Sequence, residues 1–445
     1  MNKFIRAVIY FAVLTSFLAA QIFTYDLGAF QLSLFRAAIL LLPVLVCVYA
    51  LRSTEPVYLL AAGKRNSYSV RFMLLWLLYA VVSVLMSPVF SSWLRNVYFL
   101  GCGVLCALLF GIFLTEKEHI VTVFRLMRLM IAVQIFIGWY EIIFRRYHFT
   151  SAFNQAYYSS AAHRIPIAMC GNPNDFAMLM LFGVFIGYVC FCCRKGLADG
   201  IFSVALMANC AFFVFQTESR ANIIGLLMAA AFFVLVSYRN RAGVLLGVVC
   251  AAAGLSLVIP GLWEKVGLEL SNTLTFDFSG QYMGSDTIRV NLIKNGFYFL
   301  YQTFGLGTGA GNLEYWMQNA AIYPTGGITN MHNWWMELLT SYGIIVFIGY
   351  GIFYVKLFRD FYRTLKQSAD PQIRAIAFGF LCCMVGFLVG SVSSSSNIKT
   401  EWLWVFWAVA IAFQGQVESA ATERKSCAVR RTKYIKDKFS AHIIF

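Results

Sequence analysis

The chain has little charge for its length, and histidine is scarce. Only 12% of its 445 residues are charged, five are histidine, and 60% are apolar. A typical soluble domain is about 25% charged, so this composition excludes that class and indicates an integral membrane protein. The alternating strands of a membrane β-barrel are also absent from the sequence, which leaves transmembrane helices.

Several motifs that would indicate other functions are missing. No zinc-finger, winged-helix or RNA-binding signature accompanies the positive charge, so nucleic acid is not an expected partner. The sequence has no DxD motif, and Cys190 and Cys193 lack the second ligand pair that a metal site needs. We therefore expect no metal and no other cofactor. No internal repeat is visible, which weighs slightly against a secondary transporter.

Apolar runs of about 20 residues, each long enough to cross a bilayer, recur along the chain. They predict an all-α fold, a single polytopic transmembrane domain over residues 1–418 with about twelve spans. The first run lacks a signal-peptide cleavage site, so we interpret it as a span. The predicted spans are 4–22, 31–51, 71–87, 93–114, 120–143, 175–193, 199–216, 220–238, 243–260, 341–358, 376–394 and 399–415.

Positive charge alternates between the predicted loops. With the N-terminus inside, most of the 35 lysines and arginines fall on the cytoplasmic side, including those of a basic cytoplasmic tail at 419–445. This distribution predicts that both termini are cytoplasmic. It also accounts for much of the net charge of +15 and predicts contact with anionic membrane lipids.

Some cations fall on the predicted outer side, against the positive-inside rule, and each of them needs a reason. They are Arg36, Arg95, Arg145, Arg146, Arg164, Arg220, Lys265, Arg289, Lys294 and Lys399.

A long extracytoplasmic loop, residues 261–340, separates spans nine and ten. Its amphipathic stretch and dense aromatic residues predict short helices at the membrane interface. The loop also contains "GLGTGAGN" at 305–312, which fits neither GxGxxG nor a Walker A motif. We expect it to form a tight turn that lets the backbone approach a neighbour closely.

The segment "TESRANIIG" places Arg220 at the outer end of span eight. Ser219 is suited to cap the helix, which would put Arg220 in its first turn. A cation at the positive end of a helix is unfavourable for the helix itself, but it becomes favourable when an anion binds between the cation and the helix end. The alternative is an interfacial arginine that snorkels or pairs with Glu218.

Two further arginines are candidates for the same anion site. Arg289 lies on a predicted helix in "DTIRVNLIKNG", where an ion pair with Asp286 is the structural alternative. Arg164 precedes "GNPND", whose Asn174 or Asp175 we expect to cap span six. Paired arginines suit the oxygens of a phosphate or pyrophosphate.

His332 stands in "HNWWMELL" at the end of the long loop. If a helix begins near Asn330, His332 lies in its first turn, where its pKa is lowered and a neutral imidazole serves as a general base. The alternative is a polar interfacial histidine beside Trp334 and Trp335, which are residue types of the membrane aromatic belt.

Together these segments resemble the O-antigen ligase/polymerase superfamily of bacterial envelope glycan enzymes. The resemblance covers most of residues 150–360 and the outline of twelve spans. "HNWWMELL" together with "SVSSSSNIKTEWLWVFWA" at 391–408 looks like the Gram-positive teichuronic acid polymerase branch.

The resemblance implies a metal-independent glycosyltransferase in the bacterial cytoplasmic membrane, with an extracytoplasmic active site. Its donor would be a glycan on undecaprenyl pyrophosphate, and a chain-length regulator and a flippase would be its partners. Arg220, Arg289 and, as a third cation, Arg164 would bind the pyrophosphate, while His332 would activate the acceptor hydroxyl.

Besides a polymerase, three functions remain open. A ligase would transfer the same glycan to a different acceptor. A lipid-linked oligosaccharide flippase or other transporter would move the glycan without lengthening it. A scaffold of the envelope machinery would do neither.

Overall fold

The computed structural model describes residues 2–18, 24–28, 30–52, 67–150, 155, 164–237, 285–394 and 397–419. Nearly all of them are helical, as predicted. The helices are α1 (Asn2–Thr15), α2 (Leu34–Arg52), α3 (Ser67–Val82), α4 (Phe90–Phe113), α5 (Lys117–Phe144), α6 (Pro173–Cys192), α7 (Leu197–Gln216), α8 (Arg220–Ser237), α9 (Ser285–Gln302), α10 (Leu313–Asn319), α11 (Trp334–Gln367), α12 (Pro371–Gly390) and α13 (401–419).

Short elements join these helices. A two-stranded antiparallel hairpin, β1 (Tyr25–Leu27) and β2 (Phe30–Leu32), lies between α1 and α2 and was not predicted. Its turn contains Gly28 with a φ of +79°, a conformation that glycine adopts readily. Three 3₁₀ turns span Ser83–Met86, Ala168–Cys170 and Asn397–Lys399.

Nine of the described helices are long and apolar enough to cross a membrane, namely α2 to α8, α11 and α12. The prediction of a polytopic membrane protein is therefore confirmed, while the number twelve remains a prediction. The predicted span 243–260 and nearly all of the tail 419–445 lie outside the described residues. Helix α1 ends at Thr15, so the span predicted over 4–22 was too long.

Residues in or beside loops predicted to be cytoplasmic meet at one end of the helix bundle. Lys117 at the start of α5 pairs with Asp370 before α12, with 2.6 Å between Nζ and Oδ2. Arg128 pairs with Asp199 in the first turn of α7, also at 2.6 Å. This grouping agrees with the predicted alternation of loops, and which end faces the cytoplasm remains a prediction.

Helix α11 starts inside the predicted outer loop and is broken at one glycine. The span was predicted from 341 and a helix start near Asn330, but the helix begins at Trp334, because the Asn333 side chain accepts the N–H groups of Trp335 and Met336 and caps it. Gly343 interrupts the helix with a φ of +75°, a conformation that side chains other than glycine rarely adopt.

The glycine-rich loop at 305–312 fills this interruption. Thr308 donates its N–H to the Thr340 carbonyl at 2.8 Å, and Ile344 donates to the Gly305 carbonyl at 2.9 Å. These bonds replace the helical bond that would join Ile344 to Thr340. Buried backbone N–H and C=O groups in a membrane protein need hydrogen-bond partners, so the loop stabilises the break in the helix. The close backbone approach predicted for this loop is confirmed.

Aromatic rings form the core behind this break. Trp76 of α3 lies 5.5–6.2 Å, between ring centroids, from the rings of Trp334, Tyr342, Tyr350 and Trp404. Trp334 is 4% exposed, and its Nε1 donates to the Tyr350 hydroxyl.

The expectation that Trp334 belongs to a membrane belt is therefore wrong, whereas for the half-buried Trp335 it stays a prediction. The ring of Trp335 packs against Tyr350 and Phe387, and its Nε1 donates to the Leu388 carbonyl. The indole N–H groups of both residues thus have partners within the chain.

Helices α9 and α10 have a small core of their own, formed by Leu292, Phe299, Leu313, Met317 and Met331. The short helices predicted for the long loop are thereby confirmed at 285–302 and 313–319. Asn295 is fully buried and ties the core to the loop behind it: its Oδ1 accepts the N–H groups of Ile322 and Tyr323. This cap covers the segment that leads into α11.

Candidate functional site

Arg220 is the first residue of α8, as predicted from Ser219. The Ser219 carbonyl accepts the first helical N–H, that of Ile223, at 2.9 Å. Ser219 is buried, and Arg220 is half-buried at the same end. The free N–H groups of a helix start, with its positive dipole end, favour an anion there.

The "GNPND" turn of α6 packs directly against this helix start. The expected cap at Asn174 or Asp175 is wrong: Asn172 caps α6 by accepting the Asn174 N–H at 2.8 Å, because Pro173 occupies the first helical position. The Asn174 side chain instead accepts the Ser219 hydroxyl at 2.7 Å.

Asn222, one turn into α8, joins three segments. Its Nδ2 lies 3.1 Å from the Asn174 carbonyl, 2.9 Å from Ser219 Oγ and 3.5 Å from Ser393 Oγ. Asn222 is completely buried, and its Oδ1 lies where a Cβ on Gly390 would collide with it at 2.5 Å. The motifs "GNPND" and "TESRAN" therefore form one polar cluster with the end of α12.

Arg164 lies beside the loop that leads to Arg220. Its carbonyl accepts a hydrogen bond from Gln216, the last residue of α7, at 3.2 Å, and its side chain is exposed. The segment that follows is held by Glu141 of α5, whose carboxylate accepts the N–H groups of Ile167 and Ala168 at 2.8 Å each. The backbone of Arg164 is thus placed near the start of α8.

His332 does not lie in the first turn of a helix, contrary to the prediction. Its φ of +48° is left-handed, and Asn333 rather than Asn330 caps α11. Asn330 instead folds a small turn by accepting the His332 N–H at 2.9 Å. His332 therefore stands in an ordered turn immediately before the helix.

The packing of α9 places the helix face that carries Arg289 against the segment that contains His332. Arg289 and Gly296 are two turns apart on one face of α9, since residues i and i+7 are nearly aligned. A Cβ on Gly296 would lie 2.9 Å from Met331 Cε and from Thr340 Oγ1, so this face lies against the segment that carries His332. Asp286, the predicted partner, has a side chain outside the described part of the structure.

The surroundings of His332 favour its neutral form. Burial lowers the pKa of the imidazole, and the positive charges of Arg289 and then Lys399 lower it further. A neutral imidazole near pH 7 is able to accept a proton. Arg289 and Lys399 thus lie close enough to His332 to act on its charge.

The N-terminus of α11 connects His332 to the Arg220 side of the site. Trp334 donates its N–H to the Ser391 carbonyl at 3.0 Å, and Ser393 of the same turn contacts Asn222. His332 precedes Trp334 by two residues, and Arg220 precedes Asn222 by two. The structure therefore brings the N-termini of α8 and α11 to one turn at the end of α12.

A polar cavity of about 300 Å³ adjoins this region next to the turn that carries His332, since Asn330 and Met331 line it. We call it the outer cavity. It lies between the N-terminal half of α4, the glycine-rich loop, the start of α10, the first turns of α11 and the 397–399 turn. Its charged lining residues are Arg95, Glu314, Glu337 and Lys399, and its polar ones include Gln31, Asn96, Asn330 and Ser341.

Some cations predicted on the outer side have structural roles. Arg36 is 2% exposed and pairs with Glu401 at 2.9 Å while stacking on the ring of Phe99. Lys294 lies over the ring of Tyr323, 5.4 Å from its centroid. These two are explained without a ligand.

Two further residues of the candidate site, Lys399 and Glu141, were not assigned to it from the sequence. Lys399 was noted as an outer cation but not as a neighbour of His332, because the two lie far apart in the chain. Glu141 could have been found, since a carboxylate inside an apolar span needs a partner. Within the described ranges, no three His, Cys, Asp or Glu side chains could together hold a metal ion.

Comparisons with known proteins agree with the resemblance in the sequence. Residues 202–351 match the O-antigen ligase family. The chain is 28% identical over 427 residues to the teichuronic acid biosynthesis protein TuaE of Bacillus subtilis (strain 168), an alignment that covers 92% of this chain and 84% of that protein. The predicted similarity to this superfamily and to its teichuronic acid branch is confirmed.

Proposed function

We propose that the chain is a membrane glycosyltransferase that polymerises undecaprenyl-pyrophosphate-linked glycan units into a cell-surface polysaccharide. The reaction takes place at the outer face of the bacterial cytoplasmic membrane, and both termini are cytoplasmic. One observation carries the proposal: the turn of His332, whose pKa is lowered by burial and by the charges of Arg289 and Lys399, is joined through Ser391 and Ser393 to the start of α8, where Arg220 lies. The O-antigen ligase family match supports the reaction class.

The reaction is a displacement at the anomeric carbon of the donor sugar. The acceptor hydroxyl oxygen forms the new bond to that carbon while its proton passes to the neutral imidazole of His332. The bond from the carbon to the pyrophosphate oxygen breaks, and the electron pair leaves with the lipid pyrophosphate. A single direct displacement inverts the anomeric configuration, which the linkage of the product tests.

Arginines stabilise the leaving group. Arg220 and Arg289 bind the pyrophosphate oxygens, and Arg164 supplies a third cation from the neighbouring loop. The chemistry needs no metal when guanidinium groups neutralise the developing charge. The name of the related TuaE suggests that the product is a teichuronic-acid-type polymer. A flippase and a chain-length regulator are the partners proposed for this reaction.

The proposal is tested by profiling the surface polymer of a strain that carries His332→Ala. We expect loss of long chains at an unchanged protein level, because no other base replaces the imidazole. The matched control is His148→Ala, which removes an exposed histidine that contacts Tyr140 and has no role in the proposed mechanism. Normal long chains in the His332→Ala strain would contradict the mechanism.

Two further variants examine the leaving-group site. Arg220→Lys and Arg289→Lys keep the charge but lose the paired donors of the guanidinium group, so each should weaken donor use about tenfold or more. Arg146→Lys, at an exposed outer position, is the control. If Arg220→Lys and Arg289→Lys both gave the polymer length of the Arg146→Lys control, the result would favour a scaffold.

A polymerase, a ligase and a flippase differ in what they do to a lipid-linked unit. Purified protein in proteoliposomes that contain labelled lipid-linked units should lengthen them if it is a polymerase. A ligase would transfer the glycan only to a different acceptor. A flippase would move the label across the bilayer without lengthening any chain.

A further inference from the structure

The proposed mechanism uses no residue of the outer cavity except Lys399, which acts on the charge of His332. Its volume of about 300 Å³ lies at the lower end of the range for ligand pockets. Its lining is more polar than apolar and carries charges of both signs, Arg95 and Lys399 with Glu314 and Glu337. Such a lining offers hydrogen-bond donors and acceptors together, which suits a ligand rich in hydroxyl groups.

The position of the cavity relative to His332 is specific. Asn330 and Met331, which line it, immediately precede His332, and the Asn330 side chain holds the His332 turn through its N–H. Lys399 also lines the cavity and acts on the charge of His332. The cavity therefore lies next to the turn that carries His332.

The cavity and the Arg220 side of the site use different parts of the fold. Hydrogen bonds around Arg220 join α6, α8 and the end of α12, and no residue of those helices lines the cavity. The turn that carries His332 connects the two sides, because Trp334 bonds to Ser391 while Asn330 lines the cavity. A displacement needs its nucleophile and its leaving group on opposite sides of the reacting carbon.

We propose that the outer cavity binds the terminal sugar of the acceptor glycan and presents one of its hydroxyl groups to His332. Glu314 and Glu337 accept hydrogen bonds from sugar hydroxyls, and Arg95 and Lys399 donate to sugar oxygens. The inference rests on the proposed function, since it assigns the acceptor of that reaction. The held hydroxyl gives its proton to His332 and its oxygen to the anomeric carbon as lipid pyrophosphate leaves.

Part of the cavity wall is closely packed. Phe99 lines it and is backed by Arg36, whose guanidinium lies 4.2 Å from the ring centroid and is fixed by Glu401. Gly311 lies so close to Ser92 that a Cβ would be 2.3 Å from its carbonyl oxygen. A preformed site lowers the entropy cost of orienting a flexible glycan.

The test uses the full-length protein in proteoliposomes with lipid-linked repeat units as the donor. The acceptor probe is a set of oligosaccharide fragments of the host's own surface polymer, labelled at the reducing end. Arg95→Gln and Glu314→Gln change exposed side chains of the cavity, so the fold should remain intact. Their controls are Arg146→Gln and Glu118→Gln, also exposed but outside the cavity.

We expect each cavity variant to raise the fragment concentration for half-maximal transfer about tenfold. The dependence on donor concentration should stay as in the unaltered protein, and the controls should change neither. Unchanged fragment dependence in both cavity variants would overturn the proposal, as would an equal effect in the controls. Polymerisation by the unaltered protein without any use of, or competition by, the fragments would also overturn it.

Failure of the proposed function itself gives a different result. In that case the unaltered protein makes no polymer from lipid-linked units, whatever fragment is added. The two failures are therefore distinguishable in the same assay.

Discussion

Trp334 donates its backbone N–H to the carbonyl of Ser391 at 3.0 Å, and this bond joins the start of α11 to the end of α12. The same turn reaches α8 through Ser393 and Asn222. The proton-accepting side and the leaving-group side of the proposed site therefore share one short polar segment. Changes in this segment should therefore affect both sides of the proposed site.

Asn222→Ala should destabilise the protein and shorten the polymer. The change removes the Nδ2 bonds to Asn174, Ser219 and Ser393 and leaves their buried oxygens with fewer donors. A loss of about 1–3 kcal/mol is expected for buried groups of this kind. Thermal unfolding of the purified protein measures it. Asn319→Ala, which removes only a bond to the Tyr315 carbonyl of its own helix, should change little, and equal losses in both variants would contradict this role.

Gly311→Ala should be more damaging than its size suggests. Gly311 has a φ of +72°, and an added Cβ would meet the Ser92 carbonyl oxygen at 2.3 Å. Strain and collision together should cost more than about 2 kcal/mol. The unfolding midpoint and the amount of folded protein in membranes report the loss.

Gly351→Ala is the matched control for that change. Gly351 lies within α11, and nothing lies within 4 Å of an added Cβ. Alanine is the better helix former by about 1 kcal/mol, so stability should be unchanged or slightly higher. If Gly351→Ala were as harmful as Gly311→Ala, the close approach would not explain the effect.

The glycine loop shows what the sequence makes predictable. Glycines that alternate along 305–311 indicate backbone conformations closed to other residues, and the structure confirms the close approach. The start of α11 was harder to predict, because Asn330 and Asn333 are both able to cap a helix. Only the packed structure decides that Asn333 caps α11 and that Asn330 holds His332.

Two other features had no local signal. A tryptophan beside an apolar run has the same composition whether it faces lipid or packs on Trp76, so the burial of Trp334 could not be read from its neighbours. The outer cavity is lined by segments that lie far apart in the chain, from Gln31 to Lys399. No spacing rule links them, because tertiary packing alone brings them together.

Breaking the buried ion pair of Arg36 and Glu401 should cost far more stability than breaking the more exposed pair of Lys117 and Asp370. Its side chains are 3% and 6% exposed, and Ser33 also donates to the Glu401 carboxylate at 2.6 Å. Glu401→Gln leaves the guanidinium buried without its counter-charge, at an expected cost of about 3–5 kcal/mol. The fall in the thermal unfolding midpoint measures it.

The comparison for that pair is Lys117 with Asp370, whose side chains are 26% and 32% exposed. Asp370→Asn removes the charge but keeps a residue that caps α12 well, so the loss should stay below about 1 kcal/mol. Similar losses of stability for Glu401→Gln and Asp370→Asn would show that burial does not determine how much stability is lost when such an ion pair is broken.

Lys399→Gln should move the acidic limb of the pH–activity profile to higher pH. The proposed base must be neutral, so activity falls as the pH drops through the pKa of His332. Burial, Arg289 and Lys399 hold that pKa below its ordinary value of about 6.5, which places the acidic limb below that pH in the unaltered protein. Removing the Lys399 charge raises the pKa, although burial, the largest cause, remains.

Measuring the initial rate of chain extension between about pH 5 and pH 8 shows the limb, since this range contains the ordinary histidine pKa. Lys294→Gln is the control, because its ammonium group lies over Tyr323 and does not contribute to the His332 pKa. A limb that moves to lower pH, or moves equally in both variants, would show that the charge of Lys399 does not act on the group that accepts the proton. A shift confined to Lys399→Gln would support His332 as that group, because the charge of Lys399 lowers the pKa of His332.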